Sequence, residues 1–179
     1  AMISVQGDPA SMVIGNIIKV DSTTHGIWMG ASKAIFINNS IASVGGSGKG
    51  ITGGSSSRQV TLINNAIQGF SATGAIGYDL QSNWKLMVFA GNISQNNLKH
   101  YMAQSETVEG THGDVFLGLG DNEGIDDPTP IFADISASTD DFTPEDVGNM
   151  LEGAFPTTYL GYGIADFKDK GGIEAEGGG

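Results

Sequence analysis

"AIFINNSIASV", residues 34–44, decides how the rest of the chain is read. Apolar residues alternate on both sides of Asn38-Asn39, and asparagine tolerates the positive φ that a type I′ turn demands. The stretch therefore reads as a tight antiparallel hairpin. It also admits a second reading. "INNSI" begins at Ile37 and "INNAI" at Ile63, 26 positions later, and "FAGNI" follows from Phe89 after another 26. "HGIW" (25–28), "KGIT" (49–52) and "GAIG" (74–77) recur at related spacing. A period in the twenties with asparagine at the turns marks a parallel β-helix, whose asparagines would stack on neighbouring coils. The countable coils number about three and the repeat fades after residue 94. Each coil needs a neighbour to bury its face, so the hairpin reading is the preferred one.

Outward from this stretch, "VIGNIIKV" (13–20), "HGIWMG" (25–30), "KAIFIN" (33–38), "RQVTLINNAI" (58–67) and "WKLMVFAG" (84–91) read as strands. Each is rich in Ile, Val, Phe or Trp and is bounded by Gly, Asn, Ser or Asp. Further strands are expected at 114–120, 131–136 and 157–167. Two short helices are predicted. Ser94 would cap residues 95–104, with Leu98, Tyr101 and Met102 on one face. Thr143, Pro144, Glu145 and Asp146 form a helix start for residues 141–153. The expected fold is mainly β: an antiparallel β-sandwich or barrel with one or two short flanking α-helices and a long hairpin loop. Residues 1–170 would form a single β-rich domain and 171–179 an extended C-terminal arm.

Charge is divided along the chain. Residues 1–100 hold three acids and six bases, whereas residues 101–179 hold seventeen acids and two bases, for a total of −12. A net acidic chain is a poor binder of nucleic acid, which needs Lys and Arg to neutralise phosphate. The absence of cysteine rules out a disulfide framework and a thiolate metal site. No apolar run approaches the roughly 18 residues that span a membrane, so no membrane partner is expected.

The Gly/Ser-rich stretch "GGSGKGITGGSSSRQ" (45–59) fails as a phosphate loop, because Gly48-Lys49 is followed by Gly50 and Ser43 stands five positions before Gly48. It fails as a nucleophile elbow too, since Lys49 follows Gly45-Gly46-Ser47-Gly48. His25, His100 and His112 have no second ligand at metal-binding spacing. Asp121, Glu123, Asp126 and Asp127 form an acidic loop that lacks the ligand order of an EF-hand. No catalytic residue, cofactor site or metal site is therefore expected, and the chain is read as a non-enzyme. Asn38-Asn39-Ser40 and Asn92-Ile93-Ser94 match the glycosylation sequon, a pattern common by chance. Trp28, Phe36, Trp84 and Phe89 alternate with apolar neighbours and read as core.

The order of pieces in residues 24–103 resembles the tail tube (major tail) proteins of long-tailed bacteriophages. The matching text is "THGIWMGASKAIFINNSIASVGGSGKGITGG" followed by "RQVTLINNAIQGFSATGAIGYDLQSNWKLMVFAGNISQNNLKHYMA". The resemblance implies a structural virion protein made in the host cytoplasm. It would be a self-assembling subunit of stacked, commonly hexameric rings that contact other tail proteins and conduct DNA without specific binding. Gly45, Gly46, Ser47, Gly48, Lys49, Gly50, Gly53, Gly54 and Arg58 would then form a subunit interface, on a loop ordered by the adjacent ring. The repeat keeps an alternative open: a short right-handed β-helix, as in a tailspike fragment or a polysaccharide lyase or binding module. A subunit of another extracellular filament is a third reading.

Overall fold

Asn38 and Asn64 do adopt positive φ, at 50° and 54°, as do Gly15 and Gly91, both at 64°. The residue after each, Asn16, Asn39, Asn65 or Asn92, does not. A type I′ turn needs two consecutive left-handed residues to reverse the chain. With one, the chain turns a corner and runs on as the next strand of a different sheet. The computed structural model describes residues 2–7, 10–21, 23–54, 58–81, 84–103, 106–108, 122–125, 129–136, 138, 140–145 and 171, and it shows a parallel β-solenoid.

Four successive coils each contribute three strands. The first holds β1 (Ile3–Val5), β2 (Ser11–Ile14) and β3 (Ile17–Val20). The second holds β4 (Ile27–Met29), β5 (Lys33–Ile37) and β6 (Ser40–Ser43). The third holds β7 (Lys49–Gly53), β8 (Arg58–Ile63) and β9 (Ala66–Gln68). The fourth holds β10 (Ile76–Leu80), β11 (Trp84–Ala90) and β12 (Ile93–Gln95). Sheet A stacks β1, β4, β7 and β10, continues through β13 (Tyr101–Ala103) and closes with the antiparallel β14 (Glu106–Val108). Sheet B stacks β2, β5, β8 and β11. Sheet C stacks β3, β6, β9, β12 and β15 (Glu123–Ile125). Every coil-to-coil pairing is parallel and near-perfect in register, for example Ile27 with Ile51 and Phe36 with Leu62.

The expected antiparallel sandwich or barrel is thus corrected to parallel sheets, and among the described residues there is no helix. Of the first predicted helix, residue 95 ends β12 and residues 101–103 form β13, and residues 141–144 of the second belong to β17 (Asp140–Pro144), paired antiparallel with β16 (Phe132–Ile135). Residues 146–153 lie outside the described residues, as do the strands expected at 114–120 and 157–167. The long hairpin loop is also corrected. Lys49–Gly53 is an inner strand of sheet A, paired with β4 on one side and β10 on the other.

Parallel strands leave like residues in line, and the core is built from those lines. Ile27, Ile51, Tyr78 and Tyr101 stack inward on sheet A, Phe36, Leu62 and Phe89 on sheet B, and Ile41 and Ile67 on sheet C. The rings of Tyr78 and Tyr101 stack at 5.0 Å, with Phe89 edge-on to both. Each such side chain contributes about 1.5–3 kcal/mol on burial. A second core lies outside the coils. The β16–β17 hairpin places Phe132 and Phe142 against Ala42, Ala66 and Ile93 on the outer face of sheet C. Gln68 and Gln95 receive hairpin backbone amides there.

Glycines set how closely coils approach. A Cβ on Gly50 would lie 2.6 Å from the Gly77 carbonyl oxygen and 2.5 Å from Ile67 Cγ2. A Cβ on Gly48 or Gly53 would likewise run into the Thr24 or Met29 carbonyl oxygen, so these three glycines pack against neighbouring coils of their own chain.

Candidate functional site

The row of asparagines at the corner between sheets B and C is the most ordered polar feature. The Asn16 amide groups donate to Asn39 Oδ1, those of Asn39 to Asn65 Oδ1, of Asn65 to Asn92 Oδ1 and of Asn92 to Asn122 Oδ1, at 2.8–3.2 Å. Each of the last four also donates Nδ2 to a carbonyl of the coil before: Val13, Phe36, Leu62 and Phe89, respectively. All amide capacity of Asn39, Asn65 and Asn92 is used internally, so this row is structural. Asn38 and Asn92, the sequon asparagines, are fully buried. Gly171 is buried beside the same corner, where its carbonyl accepts from Asn38 Nδ2 and its N–H donates to the Asn64 carbonyl.

The chemically mixed face is the outside of sheet A. Alternation sends Tyr78 and Leu80 inward, so Asp79 points outward, in register with Thr52 and Met102. Trp28 precedes Thr52 in that row and Ser4 precedes Trp28. Trp28 is partly exposed, and its ring lies over Gly30, where a Cβ would come within 2.5 Å of Cζ3. Beside this row stands Lys49, whose ammonium pairs with Asp79 Oδ2. Thr52 Oγ1 donates to the same oxygen at 2.7 Å, and Gln81 Nε2 also donates to it. The Asp79 side chain is 1% exposed and that of Lys49 28%. Asp79 Oδ1 is buried and has no hydrogen-bond partner among the described residues.

His25 adjoins Lys49 one coil earlier. The Lys49 backbone N–H donates to His25 Nδ1 at 3.2 Å, which requires an unprotonated Nδ1. Burial pushes the His25 pKa below its usual value, the Lys49 charge pushes the same way, and Asp79 opposes them. The cluster therefore offers a neutral imidazole, a paired ammonium, a hydroxyl and an amide, and the Trp28 indole stands in the strand row next to Thr52.

The residues expected at a subunit interface are placed as follows. Gly45 and Ser47 are exposed, while Gly46, Gly48 and Gly50 are buried within the coil stack. Gly53 ends β7, and Gly54 accepts from Trp84 Nε1 at 3.2 Å. Lys49 belongs to the Asp79 cluster, and Arg58 starts β8 in register with Trp84. Residues 55–57 lie outside the described residues, as do His112, Asp121, Asp126 and Asp127, while Glu123 begins β15. Phe36, Trp84 and Phe89 are core, as expected; Trp28 is on the outer row instead. Asp79 drew no attention in the sequence because Thr52 and Lys49 stand 27 and 30 positions away.

Together the stacked coils and the asparagine row define the protein as a parallel β-solenoid, or β-helix. Comparison with family models, curated proteins and solved structures returned no match.

Proposed function

We propose that the protein is a β-helical carbohydrate-binding protein whose ligand lies across the coils on the outer face of sheet A. The observation that carries this reading is the partly exposed Trp28 indole in register with Thr52, whose hydroxyl shares Asp79 with Lys49 and Gln81. An indole face receives the C–H surface of a sugar ring, and neighbouring polar groups take its hydroxyls. Parallel strands repeat every ~4.8 Å, so a coil stack offers a linear polymer a periodic surface. The tail tube resemblance expects a sandwich-type subunit, and the fold that supports it is absent, so the β-helix alternative is carried forward.

Affinity electrophoresis through gels containing neutral and anionic polysaccharides tests the reading. Retardation by at least one polymer is expected, weakened about tenfold (~1.4 kcal/mol) by Trp28→Ala. No retardation by any polymer in a broad panel, or retardation that Trp28→Ala leaves unchanged, would overturn it. A fall in polymer viscosity during incubation would add a cleaving activity to the binding.

A further inference from the structure

The parallel pairings of the three sheets join each coil to its immediate neighbours. The β16–β17 hairpin does something else. Lys19, Ala42, Gln68, Gln95 and Ile125 stand in register on β3, β6, β9, β12 and β15, one from each strand of sheet C, and form a row on its outer face. The hairpin and its core meet every member of that row.

Gln95 Oε1 accepts the Ile131 N–H at 3.4 Å, and its Nε2 donates to the Thr129 carbonyl at 2.6 Å. Gln68 Oε1 accepts the Phe132 N–H at 3.2 Å. Ala42 shares a cluster with Phe132 and Phe142, whose rings lie 5.0 Å apart, and Ile125 packs against that cluster. Lys19 is held by Asp140 and by the Ser136 carbonyl. From residue 129 to residue 136 the chain therefore passes from the fourth coil to the first, across the strands rather than along them. Glutamine suits such a crossing. Its amide carries both a donor and an acceptor on a flexible arm, and it meets a backbone that has no ladder partner in sheet C.

We propose that the β16–β17 hairpin is a splint that couples non-adjacent coils, so that the stack opens as one unit. A solenoid held only by neighbour contacts opens coil by coil from its weakest point. An element bonded to the first, third and fourth coils must let go before any of them leaves alone. Its hold on the first coil is the part that salt loosens, because the Asp140 side chain is 71% exposed and its pairing with Lys19 is screened by ions. The outer row of sheet A draws Ser4, Trp28, Thr52 and Asp79 from the same four coils, so the splint also keeps the spacing of that row. The proposal does not depend on the carbohydrate reading.

Native-state hydrogen exchange of the full chain, read by mass spectrometry at rising urea, tests it. The quantity followed is the opening of the first coil (β2 and β3) relative to the third (β8 and β9). In the natural chain the two should open together. Phe142→Ala changes no coil residue, and in it the first coil should open about tenfold more readily relative to the third. Asp140→Lys leaves the hairpin core intact and should shift the ratio roughly two- to fivefold, the range of an exposed ion pair. Adding Lys19→Asp should restore the natural ratio, and raised salt on the natural chain should mimic Asp140→Lys. The charge variants decide the matter even if Phe142→Ala fails to fold. A natural chain whose first coil already opens apart from the third would overturn the proposal, as would variants that leave the ratio of the two coils unchanged.

Discussion

Replacing Asn65 with alanine is the sharpest probe of the coil stack. Its Oδ1 accepts from the backbone N–H and Nδ2 of Asn39, at 3.2 and 2.8 Å. Its Nδ2 donates to the Phe36 carbonyl at 3.0 Å and to Asn92 Oδ1 at 2.9 Å. Asn92 Oδ1 retains the Asn65 backbone N–H and the Phe36 carbonyl stays within the β5–β8 ladder, so truncation orphans two buried groups, the Asn39 N–H and one Asn39 amide hydrogen, and takes one bond from the Phe36 carbonyl. At about 1–3 kcal/mol for each orphaned group, with water entering the small void, Asn65→Ala should cost about 3–5 kcal/mol. That is a large part of the ~5–15 kcal/mol by which a domain is stable. At roughly 2–4 °C per kcal/mol for a chain of this size, the midpoint should fall by about 6–20 °C. Asn16→Ala is the internal control. Asn16 is partly exposed, and Asn39 Oδ1 keeps the Asn16 backbone N–H, so the expected cost is about 1 kcal/mol. Asn65→Asp keeps the shape but removes the donors and buries a charge against the Phe36 carbonyl, so it should be worse than alanine. Urea and thermal unfolding followed by circular dichroism measure all three. An Asn65→Ala cost within error of Asn16→Ala would refute the view that the row holds the coils.

Gly50→Ala should destabilise by about 1–3 kcal/mol or more, because its Cβ meets the backbone of the next coil; unfolding curves give the value. Stability should fall as pH drops from about 6.5, because His25 protonates more readily in the unfolded chain than beside Lys49. The unfolded chain binds the extra proton, and urea midpoints of His25→Gln should lose this part of the acid slope. At alkaline pH the sign reverses for Tyr78, whose pKa burial and Tyr101 raise well above its usual value. Stability should decline above about pH 10 as the unfolded phenol ionises, and Tyr78→Phe should flatten that decline while losing the bond to the Asn65 carbonyl. Expression in a glycosylating host should leave Asn38 and Asn92 unmodified in the folded protein, read by intact mass, since both are buried.

Much of the strand content was legible in the chain itself. β5 and β8 fall within stretches chosen for branched and aromatic residues, and the asparagine corners were found where "INNSI" and "INNAI" repeat. The repeat itself was harder to see because its length grows. Successive row asparagines stand 23, 26, 27 and 30 positions apart, so a fixed period of 26 missed Asn16 and Asn122 and aligned Phe89 one place out of register. The first predicted helix failed where parallel pairing outweighed local preference. Tyr101, read as part of a helical face, instead stacks on Tyr78 in the preceding coil. The outer cluster was hidden for a similar reason, since Lys49, Thr52 and Asp79 meet only when two coils are in register.

By itself, the sequence determined that this is a cysteine-free, acidic β protein whose chain bends at asparagine and glycine. It left the direction after each bend undetermined, because one left-handed residue suits a hairpin and a coil corner alike. Only the tertiary structure decided between them. An asparagine amide finds its buried partners in a coil some two dozen residues away, and those bonds exist only when the strands run parallel and stacked.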